Sequence, residues 1–172
     1  MHVRTLARIL VPAFLALALS GVAASAQTPT LVNQFKDWAT YTYGGPKGKV
    51  CYALSKPLEM TPKDRNHGDV FFFVSTRPSE GVTNEPMVMV GYPFKDGSSV
   101  EVDVDGNKFT MFTKGDGAWV ENAAKEQELV GAMKAGRSMT VSGLSSRNTQ
   151  TSYKYSLSGI TAAIDAAGNA CK

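Results

Sequence analysis

Residues 100–112, VEVDVDGNKFTMF, carry the strongest fold signal in the chain, because they predict an antiparallel hairpin. Apolar and polar residues alternate on both sides of the dipeptide Asp105-Gly106. Asp-Gly favours a two-residue type I′ turn, in which both central residues need a positive φ. This turn predicts four cross-strand pairs, which are Val102 with Phe109, Val100 with Met111, Asp103 with Lys108, and Glu101 with Thr110. One face of the hairpin is then apolar and the other charged, as in a half-buried sheet.

Similar short alternating segments occur along the rest of the chain, separated by Gly, Pro, Asn and Asp. The predicted strands are residues 35–43, 49–54, 69–76, 87–91, 99–104, 108–113, 139–144 and 152–160. Regular spacing of short strands between turn residues is typical of a β-sandwich or barrel. Residues 71–74, FFFV, are apolar at every position, which predicts a central strand covered on both sides.

One segment has the pattern of a helix. Residues 122–135 contain good helix formers, with Leu129, Val130 and Met133 on one side. Asn122 can cap the start of this helix and Gly136 can end it. A single short apolar stripe favours packing across one end of the sheet over binding a partner. The fold class predicted from these patterns is mainly β with one short helix.

The N-terminus predicts export. Residues 1–26 contain two arginines, an apolar run over residues 9–19, and small residues at Ala24 and Ala26. This arrangement is typical of a secretory signal peptide cleaved between Ala26 and Gln27. The alternative, a permanent membrane anchor, is disfavoured because a spanning helix needs about 20 apolar residues. No later segment is apolar enough to span a membrane once the signal is removed.

The remaining residues 27–172 have the length of one domain. Removing Arg4 and Arg8 with the signal leaves 16 basic residues against 15 acidic ones, a net charge of +1. This balance gives no argument for binding nucleic acid. Cys51 and Cys171 are the two cysteines, and in an exported protein they predict one disulfide. Two separate thiols are the alternative.

The candidates for catalysis or metal binding are few. His67 is the single histidine after the signal, and its polar surroundings predict a solvated turn residue; a catalytic base is the alternative. With one histidine and two cysteines there is no zinc-ligand set. Residues 103–107, DVDGN, resemble the start of a calcium loop, but the glycine comes too early and the hairpin explains them better. We therefore expect no metal and no cofactor.

Two tryptophans and two arginines are further candidates for contacts. Trp38 and Trp119 are expected in the core of a sandwich, with a role as interface anchors as the alternative. Arg77 and Arg147 lie at predicted strand ends or turns and are candidate surface contacts for an acidic partner.

The chain also resembles a known family, the invasion associated locus B proteins, which are exported proteins of Gram-negative bacteria. The resemblance covers nearly all of residues 27–172. It depends on Trp38, Cys51-Tyr52, Thr76-Arg77-Pro78, Gly91-Tyr92-Pro93-Phe94, Ala118-Trp119, residues 132–136, residues 143–147, residues 155–159, Ala162-Ala163 and Cys171. Asn148 departs from the pattern, since glycine is expected there, but asparagine also tolerates a positive φ.

The resemblance implies an immunoglobulin-like antiparallel β-sandwich in the periplasm or at the cell surface. It implies a part in the entry of pathogens into host cells, no enzyme activity, and no catalytic residues to carry over. The leading hypothesis is therefore an exported, non-enzymatic binding protein that acts through a surface of its sandwich. Its partner would be an envelope protein or a host-cell surface component. The alternatives are a structural or accessory protein that supports envelope integrity, and a hydrolase of unrecognised type.

Overall fold

The structure is a computed structural model that describes residues 28–172. The predicted signal peptide and its cleavage between Ala26 and Gln27 lie outside the described residues. The strands are β1 (Thr30–Phe35), β2 (Trp38–Gly45), β3 (Gly48–Ser55), β4 (Glu59–Thr61), β5 (Phe71–Arg77), β6 (Val82–Met89), β7 (Ser99–Val104), β8 (Asn107–Lys114), β9 (Gly117–Trp119), β10 (Ser138–Leu144) and β11 (Gln150–Ser156). The helices are α1 (Ala123–Ala135) and α2 (Ile160–Ala170), and Pro78–Glu80 forms a short 3₁₀ turn.

These strands form one antiparallel sheet of 11 strands in the order β1-β2-β3-β5-β6-β9-β8-β7-β10-β11-β4. The sheet folds over, so that strands far apart in this order pack face to face. The Phe72 ring in β5 lies 5.9 Å from that of Tyr155 in β11, which is far from β5 in the strand order. Within its own part of the sheet, the Phe72 ring lies 6.3 Å from that of Trp38 in β2. The Trp38 indole also donates a hydrogen bond of 2.9 Å to the carbonyl of Ser156. The mainly β, sandwich-like fold is therefore confirmed, and a single continuous sheet forms it.

The hairpin predicted from residues 100–112 is present as β7 and β8. All four predicted cross-strand pairs are observed, with Val100 and Val102 buried and Glu101 exposed. Asp105 has φ 46° and Gly106 has φ 94°, as a turn with two positive φ values requires. The sequence of residues 100–112 is therefore sufficient to determine the turn and the register of this hairpin.

The helix expected at residues 122–135 is also present. The Asn122 side chain accepts a hydrogen bond of 3.1 Å from the Lys125 amide, and the helix ends before Gly136. Leu129, Val130 and Met133 are buried in the main hydrophobic core. The helix therefore packs against the sheet, as its apolar stripe predicts.

The expectation of only one helix is wrong, because α2 follows β11. The strand predicted at 152–160 ends at Ser156, and Ile160 begins the helix. Ile160, Ala163, Ile164 and Ala167 are buried, and their spacing is that of one helical face. This short segment near the C-terminus is stabilised by packing against β2 and β3. Neither helix within residues 28–172 is long and apolar enough to cross a membrane.

The predicted disulfide is confirmed. Cys51 in β3 is bonded to Cys171, which follows α2, across a separation of 120 residues. The Thr40 hydroxyl donates a hydrogen bond of 2.8 Å to the carbonyl of Ala163 within the same helix. The disulfide and this hydrogen bond fix α2 to the inner side of β2 and β3.

Asp105 has a second role beyond the hairpin turn. Its carboxylate accepts hydrogen bonds from the Arg137 amide at 2.7 Å and from the Ser138 amide and hydroxyl at 3.2 and 3.0 Å. The hydrogen bond from the Arg137 amide, and then that from the Ser138 hydroxyl, lower the pKa of the Asp105 carboxyl. The charged carboxylate therefore joins the hairpin turn to the start of β10.

We predict that Asp105→Asn destabilises the protein at neutral pH, and that this difference disappears in acid. Asparagine tolerates the positive φ, so the substitution removes the charge and keeps the turn. A carboxyl with a lowered folded-state pKa contributes stability above its unfolded pKa, and this stability is lost as the pH falls through the folded pKa. Denaturant unfolding of both proteins between about pH 7 and about pH 2 measures this. A difference in unfolding free energy that stays constant over this range would contradict the assignment.

Candidate functional site

The most prominent surface feature is an apolar face on the outer side of the sheet, opposite the core. We call it the outer aromatic face. It consists of Tyr41, Tyr52, Leu54, Phe71, Phe73, Met87, Phe112 and Trp119. Phe112 is the most exposed of them, at 49%, and each of the others is partly exposed.

Strand register places these side chains together. One row crosses five neighbouring strands through the pairs Leu54–Phe73, Phe73–Met87, Met87–Trp119 and Trp119–Phe112. At a strand spacing of about 4.8 Å, this row is about 19 Å wide. Residues paired directly in an antiparallel sheet share a face, so the row is continuous.

The rings also contact each other along the strands. Tyr41 and Tyr52 are stacked with centroids 5.6 Å apart, and Tyr52 meets Phe73 edge-on at 5.7 Å. The Phe71 ring is 5.8 Å from that of Phe73, and the Phe112 ring is 6.0 Å from that of Trp119. Such contacts hold aromatic side chains in defined positions without burying them in the core.

The outer aromatic face is separate from the hydrophobic core. Alternation along β5 sends Phe72 and Val74 inward, where both are buried, and leaves Phe71 and Phe73 outward and partly exposed. The buried apolar side chains of α1 and α2 belong to the inner cluster. The prediction that residues 71–74 are covered on both sides is therefore wrong for the outward side.

The two tryptophans divide between these environments. Trp38 is fully buried in the core, as expected. Trp119 lies on the outer aromatic face and is partly exposed, so its expected core position is wrong. Trp119 lies in the three-residue strand β9 and pairs with Met87 of β6 and Phe112 of β8, so its side chain points outward. No pattern in the sequence predicts β9.

Charged residues lie at the edge of the outer aromatic face and not at its centre. Arg77, a predicted surface contact, lies at the end of β5 and forms ion pairs with Glu80 at 2.9 Å and Glu85 at 2.8 Å. Burial alone would lower the pKa of Arg77, but these hydrogen bonds outweigh it and raise the pKa. Burial, and then the neighbouring Tyr41, raise the pKa of the Tyr52 phenol, which keeps it neutral. The Lys56 ammonium lies 5.2 Å from the centroid of the Phe71 ring. The centre of the face is therefore apolar and uncharged, with Arg77 and Lys56 at its edges.

This arrangement suits contact with a protein. Contiguous exposed apolar patches are uncommon on monomeric proteins and mark interaction sites. Tyr, Trp, Phe and Met are enriched in protein–protein interfaces. The face is open and built on strands, so it offers a broad contact surface and no enclosed reaction site.

Arg147, the other predicted contact, lies elsewhere. It lines a cleft of about 650 Å³ together with Arg65, His67 and Tyr92. Asn148, next to it, has φ 59°, which confirms that asparagine keeps the turn expected to contain glycine. The structure thus places Arg77 and Arg147 at two different sites.

His67 is not the solvated turn residue that was expected, because only 6% of it is exposed. Its Nε2 donates to the carbonyl of Pro62 at 2.9 Å, and its Nδ1 lies 2.9 Å from the hydroxyl of Tyr153. A carbonyl can only accept, so in the neutral imidazole Nδ1 accepts the proton of Tyr153. Local sequence could not show this, because the partner comes from β11.

The hydrogen bonds continue beyond His67 as a chain of hydroxyls. The Tyr92 hydroxyl lies 2.7 Å from that of Tyr153 and 2.6 Å from that of Thr151. Because Tyr153 donates to His67, it accepts from Tyr92. The Thr151 hydroxyl has one proton, which it shares between the Tyr92 hydroxyl and the Gly143 carbonyl, 3.1 Å away. Burial raises the pKa of the Tyr153 phenol, so this hydroxyl stays protonated. The chain satisfies buried polar groups and joins the residue 62–69 loop to β11.

The residues considered for catalysis or metal binding, His67, Cys51 and Cys171, are all engaged in contacts within the protein. Both ring nitrogens of His67 bond to protein groups, and no carboxylate is among their partners. Within residues 28–172 there is no cluster of His, Cys, Asp and Glu that could hold a metal ion. Cys51 and Cys171 are both in the disulfide.

Comparison with known proteins adds a family and a fold. The family model described as "Invasion associated locus B (IalB) protein" matches residues 38–168. The crystal structure of invasion associated protein B from Bartonella henselae is similar, with a TM-score of 0.57 and 15% sequence identity. The match covers 80% of this chain and 96% of that one. No curated protein matches the chain.

We predict that neighbouring phenylalanines in β5 differ in their effect on stability. Phe72→Thr should lower the free energy of unfolding by about 3–5 kcal/mol, because it empties a core position. Phe73→Thr should cost about 1 kcal/mol, because it removes only cross-strand contacts on the outer face. Denaturant unfolding followed by tryptophan fluorescence measures both. Equal losses of unfolding free energy in the two variants would contradict the prediction, because they would mean that Phe73 is as buried as Phe72.

A second prediction concerns two buried tyrosines of β11. Tyr153→Phe should destabilise by about 1–3 kcal/mol, because His67 and Tyr92 lose their shared partner. Tyr155→Phe should be neutral or slightly stabilising, because the buried Tyr155 hydroxyl has no hydrogen-bond partner among the described residues. Thermal unfolding of the two variants compares them directly. A larger loss of stability for Tyr155→Phe than for Tyr153→Phe would contradict the assigned hydrogen bonds of Tyr153.

Proposed function

Because this chain belongs to the invasion associated locus B family, we propose that it is an exported, non-enzymatic binding protein of the bacterial envelope. It contacts a partner protein through the outer aromatic face. The observation that carries this proposal is the continuous row from Leu54 to Phe112, in which every residue is apolar and partly exposed across five strands.

The chemistry of the face favours a protein partner. Tyr52, Phe73 and Trp119 are held by ring contacts, so little side-chain freedom is lost on binding. The charges of Arg77, Glu80 and Glu85 are paired with each other at the border. An apolar centre with a polar rim is the usual composition of a protein interface. The partner would present a complementary apolar patch.

The remaining parts of the proposal depend on other observations. Residues 1–26 have the composition of a signal peptide, which supports export to the envelope. The engagement of both His67 nitrogens favours binding over catalysis. The similar Bartonella henselae protein is named as an invasion associated protein, and this supports a host-cell surface component as one class of partner.

Site-specific photo-crosslinking in exporting cells tests the proposal. Benzoylphenylalanine would replace Phe112, which is 49% exposed and lies on the outer aromatic face. The matched control replaces Leu58, which is 63% exposed, lies beside the edge strand β4 and is outside the outer aromatic face. We expect a discrete protein adduct from the Phe112 position that is lost when Phe73→Thr is added, and none from the Leu58 position.

Two outcomes would contradict the proposal. The first is the same adducts from both positions, which would indicate non-specific contact. The second is no adduct at Phe112 in bacterial cells or in bacteria mixed with host cells. A deletion strain with a permeable envelope, together with this second outcome, would favour the structural or accessory role.

A further inference from the structure

The cleft that contains Arg147 is a second feature, on the core side of the fold and independent of the outer aromatic face. Its volume is about 650 Å³, and it lies between the residue 64–68 loop, residues 91–93 after β6, and the residue 145–149 loop between β10 and β11. Pockets of about 300–1,000 Å³ hold small organic ligands. The cleft is therefore much larger than a simple inorganic ion requires.

Two glycines make the walls of this cleft possible. The Gly91 amide donates a hydrogen bond of 3.1 Å to the carbonyl of His67. A Cβ on Gly91 would lie 2.5 Å from the Cα of Gly68, which itself has φ +63°. The two backbones can approach this closely only without side chains. Together with the buried hydrogen bonds of His67, this contact fixes the loop that carries Arg65.

Cationic groups dominate the mouth of the cleft. Arg65 and Arg147 approach from different loops, and both are exposed. Arg65 Nε lies 3.7 Å from the carboxylate of Asp64, a long contact between exposed groups, which contributes little. Arg147 has no ion pair within residues 28–172. Arginine is well suited to bind carboxylate or sulfate groups through two parallel hydrogen bonds.

Neutral groups in the cleft also favour a ligand rich in acceptors. The Asn66 side-chain oxygen accepts from the Gly68 amide at 2.9 Å, which leaves its NH₂ group as the donor. The Ser145 hydroxyl accepts from the Thr149 amide at 3.1 Å and can donate its own proton. The partly buried Tyr92 ring adds an apolar surface to the wall.

We propose that this cleft binds an acidic saccharide, a sugar whose carboxylate pairs with Arg147 and Arg65. The guanidinium groups supply the charge, Asn66 and Ser145 donate to ring hydroxyls, and the Tyr92 ring contacts the apolar face of the sugar. The volume fits a disaccharide. This binding is separate from the protein contact proposed for the outer aromatic face, so either can fail without the other.

The test uses two disaccharides that differ in one group. Cellobiuronic acid carries a carboxylate where cellobiose carries a hydroxymethyl group. The exported protein, labelled with ¹⁵N, is titrated with each by NMR, and inorganic sulfate is a third probe. We expect cellobiuronic acid to shift amide signals of residues 64–68 and 145–149, and cellobiose to bind at least about tenfold more weakly.

Variants separate the roles of charge and geometry. Arg147→Gln should weaken the binding of cellobiuronic acid at least about tenfold, and Arg147→Lys should restore only part of it. Arg137→Gln removes an exposed arginine outside the cleft, and Phe73→Thr alters the outer aromatic face; both should leave the affinity unchanged. Amide spectra of the free variants establish that each is folded.

Three results would overturn the proposal. The two disaccharides could bind equally, or neither could shift the cleft signals at millimolar concentrations. Inorganic sulfate could also bind as tightly as cellobiuronic acid at the same residues, in which case the sugar has no part in recognition.

Discussion

The packing of Phe72 against Tyr155 and Trp38 is the contact on which the rest of the structure depends. These residues come from β5, β11 and β2, and they join two ends of one long sheet face to face. All three side chains are fully buried, so this contact removes a large aromatic area from water. Because successive residues of a strand point to opposite faces, the inward position of these three side chains also determines which of their neighbours point outward. The helix α2, held by Cys51–Cys171, packs on the same inner side.

The outer aromatic face and the cleft both follow from this inward packing. Phe71 and Phe73 flank Phe72 in the sequence, so burying Phe72 turns both of them outward. Tyr153 lies two residues before Tyr155 and shares its inward side, where it meets His67 at one end of the sandwich. The outer aromatic face therefore lies on the outer side of β2, β3, β5, β6, β9 and β8, and the cleft lies between loops at one end of the sandwich. This separation supports a protein contact on one face and a small acidic ligand in the cleft.

The sequence was sufficient to predict an element wherever contacts between residues close in the chain determine that element. The register of β7 and β8 follows from Asp105-Gly106, and α1 follows from its cap and stripe. The second helix carried a helical spacing in Ile160, Ala163, Ile164 and Ala167 that pattern analysis could have found. The positions of Trp119 and His67 could not be found locally. The first depends on pairing with Met87 and Phe112, and the second on Tyr153, which is 86 residues away.

Hydroxyl-radical footprinting of the protein in living bacteria, alone and mixed with host cells, compared with the purified protein, tests the central claim most directly. We expect Trp119 and Met87 to be oxidised in the purified protein and protected in at least one of the two cell samples. Met60, which lies in the edge strand β4 and is 39% exposed, should be oxidised equally in all samples, and the buried Trp38 in none. Equal oxidation of Trp119 and Met87 in all three samples would show that nothing covers the outer aromatic face, and would contradict the proposed protein contact.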